Sequence, residues 1–201
     1  MDTKAYFSKD PVLYFKHIQQ ALSSLSVSCG SGKNPLLTGE DIWRDIARIF
    51  KLSRENNGKI IFIGNGGSAA IAGHMALDFS NRGKLRAICF NDGPMLTCLA
   101  NDYSYERVFQ EAIEIYADSG DILVAISSSG QSKNILNGVV AAKQKTCSVI
   151  TLSGFDIWNP LRTMGDLNIY IPIPRPNYGL VEVSHHIVLH FILDYILENP
   201  A

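Results

Sequence analysis

The chain has 201 residues, of which 46% are hydrophobic and 18% are charged, proportions that exclude a disordered or fibrous protein. Its length suits one domain with a sizeable buried core and excludes two well-separated domains. The formal net charge is -1 and no basic stripe is present, which excludes direct nucleic-acid binding and leaves a small anion as the expected ligand.

The amino-terminal part of the chain is predicted to be helical. Its first residues, MDTKAYFSKD, lack the pattern of a secretory signal, and no stretch is expected to reach the length of a membrane span. Apolar spacing predicts one helix from about Pro11 to Leu25 and another from about Glu40 to Asn56, with a polar loop, SCGSGKNPLLTGED, between them. We therefore expect a cytoplasmic protein in which residues 1–57 form a helical segment packed on the same domain.

From Lys59 onward, short apolar runs alternate with helical segments. Continuous β-branched runs of this kind are typical of parallel strands that are covered on both faces. The pattern predicts an α/β fold for residues 58–201, a three-layer, doubly wound sheet of about five parallel strands. A long final helix is predicted from about Val183 to Glu198. The apolar runs are IIFI, LRAICFND, DILVAI, CSVITLSGF and LNIYIPIP.

Two turns rich in glycine and serine follow strands of the predicted sheet, Gly64–Ser68 after IIFI and Ser127–Ser132 after DILVAI. Ligands bind beyond the carboxyl ends of parallel strands, and backbone N–H groups at a helix start favour an anion. The serine hydroxyls add further donors. Either turn alone is equally well explained as a tight strand-to-helix connection, but two at equivalent places predict one bound phosphate.

A dinucleotide-binding fold is the weaker alternative. Gly64, Gly66 and Ala69 fit the G-x-G-x-x-A pattern, and Asp92 ends the next strand as a ribose-binding acid does. However, Asp92 lies further from the glycines than the roughly twenty residues that the motif expects, and the serine-rich turn has no place in it.

Three segments, GNGGSAAIAGHMALDF, TCLANDYSYERVF and ISSSGQSKN, resemble blocks of the phosphoheptose isomerases of the sugar isomerase (SIS) family in order and spacing. The resemblance runs from about Lys59 to the carboxyl terminus. It implies an SIS fold, a homotetramer with active sites at subunit interfaces, and isomerisation of sedoheptulose 7-phosphate to a heptose 7-phosphate for lipopolysaccharide or other surface polysaccharide synthesis. The substrate contacts that it implies are Asn65, Gly66, Gly67, Ser68, Asn101, Asp102, Ser127, Ser128, Ser129, Ser132 and Glu182.

The resemblance also implies a zinc ion held by His74, Asp78, Glu182 and His190. Two of these residues depart from the family pattern, because Asp78 replaces a glutamate and Glu182 replaces a glutamine. Asp78 lies one turn after His74, so both side chains share one helix face. Asp78 is the candidate base, and His190 is the candidate acid because imidazole titrates near neutrality.

Helix geometry restricts this ligand set. On one straight helix Glu182 and His190 would lie about 12 Å apart, too far to share an ion with ligand distances near 2 Å. Glu182 must therefore lie outside the helix or is not a ligand. His186 and His190 are the pair that a regular helix offers, whereas His185 points about 100° away from His186. Packing in the core or an interface is the alternative role for each of the three histidines.

A non-catalytic SIS module is the alternative function. Some relatives act as tetrameric partners of the replication initiator, and others sense sugar phosphates. Such a module does not require His74, Asp78 and His190 to converge, whereas an isomerase needs a base and an acid beside the reacting atoms. In either case we expect a small phosphorylated sugar as ligand and no membrane partner.

Overall fold

A computed structural model describes residues 10–30 and 40–199 of the protein. Its helices are α1 (Pro11–Ser23), α2 (Glu40–Glu55), α3 (Gly67–Asn81), α4 (Gly93–Asp102), α5 (Val108–Tyr116), α6 (Lys133–Gln144) and α7 (Tyr178–Glu198). Its strands are β1 (Ser26–Cys29), β2 (Ile60–Ile63), β3 (Ala87–Cys89), β4 (Ile122–Ser127), β5 (Ser148–Gly154) and β6 (Leu167–Ile171). Short 3₁₀ helices span Tyr105–Arg107 and Pro160–Thr163.

The six strands form one sheet in the order β1-β6-β5-β4-β2-β3. Strands β2 to β6 are parallel, which confirms the predicted five-stranded doubly wound sheet. The sixth strand, β1, is antiparallel to β6 and was not predicted, and its last two residues, Ser28 and Cys29, were assigned to a loop. Its sequence, SVSC, is short and half serine, so only pairing with β6 at the sheet edge reveals it as a strand. The rest of that loop, residues 31–39, lies outside the described residues.

Helices cover both faces of the sheet, which confirms the three-layer architecture. In β2, Ile60 and Phe62 pack against α1, α2, α3 and α7, whereas Ile61 and Ile63 pack against α4, α5 and α6 on the other face. This alternation follows from the two-residue period of a strand. Ala21 of α1 joins the same core, so the amino-terminal helices pack on the sheet. The domain boundary at residues 57 and 58 stays a prediction.

Helix α7 begins at Tyr178, five residues before the predicted start at Val183. The 21-residue helix is long and apolar enough to cross a membrane by length and composition. The prediction that no stretch reaches this length was therefore wrong. Leu180, Val181 and Leu189 are buried against the sheet and the neighbouring helices. The core helix of a globular domain meets the same criterion, and α7 has that position here.

Candidate active site

The two predicted turns lie at the same rim of the sheet. Strands β2 and β4 are parallel neighbours, with Ile63 opposite Ala125 near their carboxyl ends. The strand order reverses between them, because β3 lies beyond β2 and β5 lies beyond β4. Crevices at such reversal points are the usual ligand sites of open α/β sheets. The turns at Gly64–Ser68 and Ser127–Ser132 open into this crevice, and together we call them the cradle.

The first turn of the cradle presents backbone to the crevice. Gly66 has a φ of +54°, a left-handed conformation that favours glycine, and it caps the start of α3. The first N–H groups of a helix have no partner within the helix and carry a partial positive charge. Gly67 begins α3, so its position suits an anion.

Glu182 lies directly over this turn. A Cβ atom on Gly67 would collide with the Glu182 carboxylate, so the close approach requires glycine. Burial raises the pKa of Glu182. Glu182 lies inside α7, so about two helical turns separate it from His190. Its carboxylate lies over the cradle at Gly67.

The second turn of the cradle presents serine hydroxyls. Ser127 Oγ accepts a hydrogen bond from the Gly130 N–H at 3.1 Å and lies 3.5 Å from Ser132 Oγ. Ser129 Oγ accepts from the N–H of Gln131 at 3.2 Å. Ser128 Oγ is buried and has no hydrogen-bond partner among the described residues. A buried hydroxyl in this position is available to donate to a bound anion.

Asn134 and Tyr105 connect the cradle; spacing alone left Tyr105 open between lining a sugar and packing, and gave no role to Asn134. Asn65 and Asn134 exchange side-chain hydrogen bonds of 2.9 Å in both directions, which ties the start of α3 to α6. Tyr105 Oη donates to Asn65 Oδ1 at 3.0 Å. Both residues lie within the segments that carry the family resemblance, which was the available signal. Asn101 and Asp102 instead bond to each other at the end of α4, and their role as substrate contacts stays a prediction.

Three histidines from two helices converge beside the cradle. His74 of α3 meets His186 and His190 of α7, and one ring nitrogen from each lies within 4.8 Å of the others. The His186 and His190 rings stack with centroids 4.6 Å apart, and the His74 ring packs edge-on against both. Asp78 Oδ2 lies 3.5 Å from His74 Nε2 and 3.7 Å from His190 Nδ1. We call these four residues the histidine cluster.

His185 and His186 have different surroundings although they are adjacent in sequence. His185 is fully buried, and Nε2 lies 3.1 Å from the carbonyl oxygen of Ser153. A carbonyl only accepts, so Nε2 carries the proton, and burial lowers the pKa of His185 to about 4. The pKa of His186 is also lowered, first by burial and then by the charges of His190 and His74. His186 is therefore biased toward the neutral form that binds metals.

Arg82 contributes a positive charge at the base of the histidine cluster. Its guanidinium lies 3.8 Å from Asp78 Oδ2 and 2.8 Å from Asp194 Oδ1. The two aspartates therefore share one cation, but only Asp78 also faces the histidines.

The donor set of the histidine cluster fits a zinc ion. Imidazole nitrogens and carboxylate oxygens are usual zinc ligands. His186 Nε2 is buried without a hydrogen-bond partner in the described part of the chain, which leaves its lone pair free for a ligand bond. His186 is thus the residue of this cluster that the resemblance did not supply.

Comparison with known proteins identifies the family. Residues 38–154, more than half of the chain, match the SIS domain. The chain is 37% identical over 147 residues to the phosphoheptose isomerase of Coxiella burnetii and 35% identical over 147 residues to that of Neisseria meningitidis serogroup C; each match covers 70% of this chain and 74% or 75% of the relative. A solved phosphoheptose isomerase from Neisseria gonorrhoeae superposes with a TM-score of 0.75 at 29% identity, covering 92% of this chain and 97% of that chain. The chain therefore belongs to the SIS-domain family and, within it, to the phosphoheptose isomerases.

Proposed function

We propose that the protein isomerises sedoheptulose 7-phosphate to a heptose 7-phosphate in the cytoplasm, in the synthesis of lipopolysaccharide or another surface polysaccharide. The observation that carries this proposal is the arrangement along α3. The helix starts at Gly67 in the cradle, and His74 follows about two helical turns later. A sugar phosphate held by its phosphate in the cradle can therefore extend toward the histidine cluster.

Isomerisation between an aldose and a ketose moves a proton between two adjacent carbons and another between their oxygens. A base takes the proton from carbon, and an acid serves the oxygen. We assign the first role to Asp78 and the second to His190, whose Nδ1 lies 3.7 Å from Asp78 Oδ2. The Arg82 guanidinium lies 3.8 Å from Asp78 Oδ2 and helps to hold this carboxylate in position.

Zinc is the ion that we propose for the histidine cluster. His74 and His186 would hold it, with Asp78 and His190 as further ligands in the absence of substrate. When bound there, zinc supplies Lewis-acid polarisation of the substrate carbonyl. We do not include Glu182 among the ligands, because its carboxylate lies over Gly67.

We also propose that the protein forms the homotetramer implied by its family. In support, Val183, Ile187 and Phe191 are more than 40% exposed although they form one apolar stripe along α7. Leu77 of α3 is 62% exposed. Large apolar side chains that share a face of this kind favour burial against another subunit. Light scattering should give the mass of four 22.1 kDa chains, and a monomer mass would contradict the tetramer.

Incubation of the purified protein with sedoheptulose 7-phosphate, with and without zinc, tests the activity. Chromatographic analysis should show a heptose 7-phosphate that increases with zinc. The Asp78→Asn variant should bind the sugar phosphate but form product roughly 10²–10⁴-fold more slowly. Binding without conversion by the wild-type protein under both conditions would instead support the non-catalytic module.

A further inference from the structure

A cavity of about 160 Å³ lies at the edge of the sheet opposite the cradle. It opens where β2 and β3 begin and where α2 and α3 end. Phe50 and Leu85 form an apolar wall of the cavity. Its polar groups come from Ser53, Arg54 and Arg86. Parallel strands have all their carboxyl ends at one rim, and the cavity lies at the opposite rim, where the strands begin. It shares no residue with the cradle or the histidine cluster.

Three cations line this cavity without an ion pair to a carboxylate in the described part of the chain, although the charge of Asp118 also acts on Arg86. No Asp or Glu oxygen within residues 10–30 and 41–199 lies at ion-pair distance from Arg54, Lys84 or Arg86. Lys59 close by shows the contrast, because Asp118 and Asp121 hold it at 2.8 and 2.6 Å. Arg86 donates to the carbonyl of Asn57, and this bond uses one of the five N–H donors of the Arg86 guanidinium.

Compensation of helix dipoles accounts for only part of this charge. Arg54 lies in the last turn of α2, and Lys84 and Arg86 follow the end of α3. Each helix end carries roughly half a negative charge, so the two ends offset about one of the three positive charges. The remainder favours an anion in the cavity.

Ser53 gives an independent indication of a ligand. The residue is 5% exposed, and its Oγ has no hydrogen-bond partner in the part of the chain that the structure describes. Buried hydroxyls in folded proteins are normally paired. An oxyanion in the cavity would accept from this hydroxyl and from the neighbouring guanidinium groups.

We propose that this cavity binds the phosphoryl group of free phosphate or of a small phosphate monoester. Arg54, Lys84 and Arg86 supply the charge, and Ser53 Oγ donates a hydrogen bond. The apolar wall at Phe50 and Leu85 excludes water from one side of the anion and strengthens these contacts. The site is separate from the one that holds the sugar substrate.

Methyl NMR during titration with inorganic phosphate tests this site alone, because Ile60 and Leu85 line the cavity. We expect saturable shifts of their methyl signals. Arg54→Gln should weaken the phosphate affinity measured from these shifts about tenfold, as expected for one charge-assisted contact. Ser53→Ala should weaken it as well while leaving the fold intact. Repeating the titration with sedoheptulose 7-phosphate shows whether free phosphate or a monoester binds more tightly.

Lys143→Gln is the matched control, because Lys143 also lies in the last turn of its helix, α6, but outside the cavity. If these cations only stabilise helix ends, Arg54→Gln and Lys143→Gln will lower stability alike and leave phosphate binding unchanged. Absence of saturable shifts at Ile60 and Leu85, or equal affinities in the two variants, would overturn the proposal. Isomerase activity is measured independently, so its presence or absence does not affect this result.

Discussion

Helix α3 connects the cradle to the histidine cluster, but the two sites are built from different kinds of groups. The cradle offers backbone N–H groups and serine hydroxyls, which stay neutral and able to donate hydrogen bonds at all physiological pH values. The histidine cluster contains three imidazoles and a carboxylate, which are suitable ligands for a metal ion. Under the proposed assignment, binding of the phosphate and transformation of the sugar depend on separate residues, and we expect substitutions to separate the two.

The largest effect is expected for metal binding at the histidine cluster. His186→Ala should abolish stoichiometric zinc binding, because it removes a buried imidazole whose Nε2 has no protein partner within the described residues. Glu182→Ala is the matched variant on the same helix face and should retain zinc, since its carboxylate lies over Gly67. Elemental analysis after dialysis measures the metal content. If Glu182→Ala loses zinc and His186→Ala retains it, Glu182 is a zinc ligand, as the resemblance implies, and His186 is not.

The next effect concerns turnover. Asp78→Asn removes the proposed base and should lower kcat by roughly 10²–10⁴-fold, the usual contribution of a positioned acid or base. Affinity for the sugar phosphate should stay close to that of the wild type because the cradle is unchanged. Asp194→Asn is the control, since Asp194 also pairs with Arg82 but does not face the histidines. Similar kcat losses in both variants would indicate that the loss comes from the broken ion pair with Arg82 and not from removal of a base.

Stability should depend on pH through His185, the histidine that lies outside the cluster. Its folded pKa of about 4 is below the unfolded value of 6.5, so the unfolded chain binds the proton more tightly. The contribution of His185 to the free energy of unfolding should therefore be fully present above pH 6.5. It should fall by roughly 3 kcal/mol as the pH decreases toward 4. Denaturant unfolding of the wild type and of His185→Gln at several pH values measures this. A pH profile that is the same in both proteins would contradict it.

A smaller effect is expected at the cradle. Ser128→Ala removes a buried hydroxyl and should raise KM for the sugar phosphate about tenfold while kcat changes little. Ser23→Ala, at an exposed position on α1, should leave both constants unchanged. Steady-state kinetics separates the two parameters. A loss of kcat without a change in KM would show that the cradle takes part in the chemistry.

The sequence predicted local features better than features that depend on packing between distant segments. Both turns of the cradle were identifiable because glycine and serine after a buried strand dictate a strand-to-helix turn at a known rim. Strand β1 was missed because its polar residues acquire order only by pairing with β6. The hydrogen bonds of Asn134 and Tyr105 to Asn65 were not predicted, because Asn65 is distant from both in sequence.

Helical periodicity predicted part of the histidine cluster but not all of it. It identified His186 and His190 as neighbours on one face and placed Glu182 too far from His190 to share an ion. It did not reveal that His74 of α3 packs against His186, with ring centroids 4.9 Å apart. The contact between α3 and α7 is tertiary, so residue spacing within either helix does not encode it.

The most direct test of the account is a proton NMR time course of sedoheptulose 7-phosphate with the zinc-loaded protein, run beside Asp78→Asn. The account predicts that anomeric signals of an aldose phosphate appear with the wild type and stay absent with the variant. Unchanged ketose signals with the wild-type protein, under conditions where the sugar phosphate is bound, would contradict it.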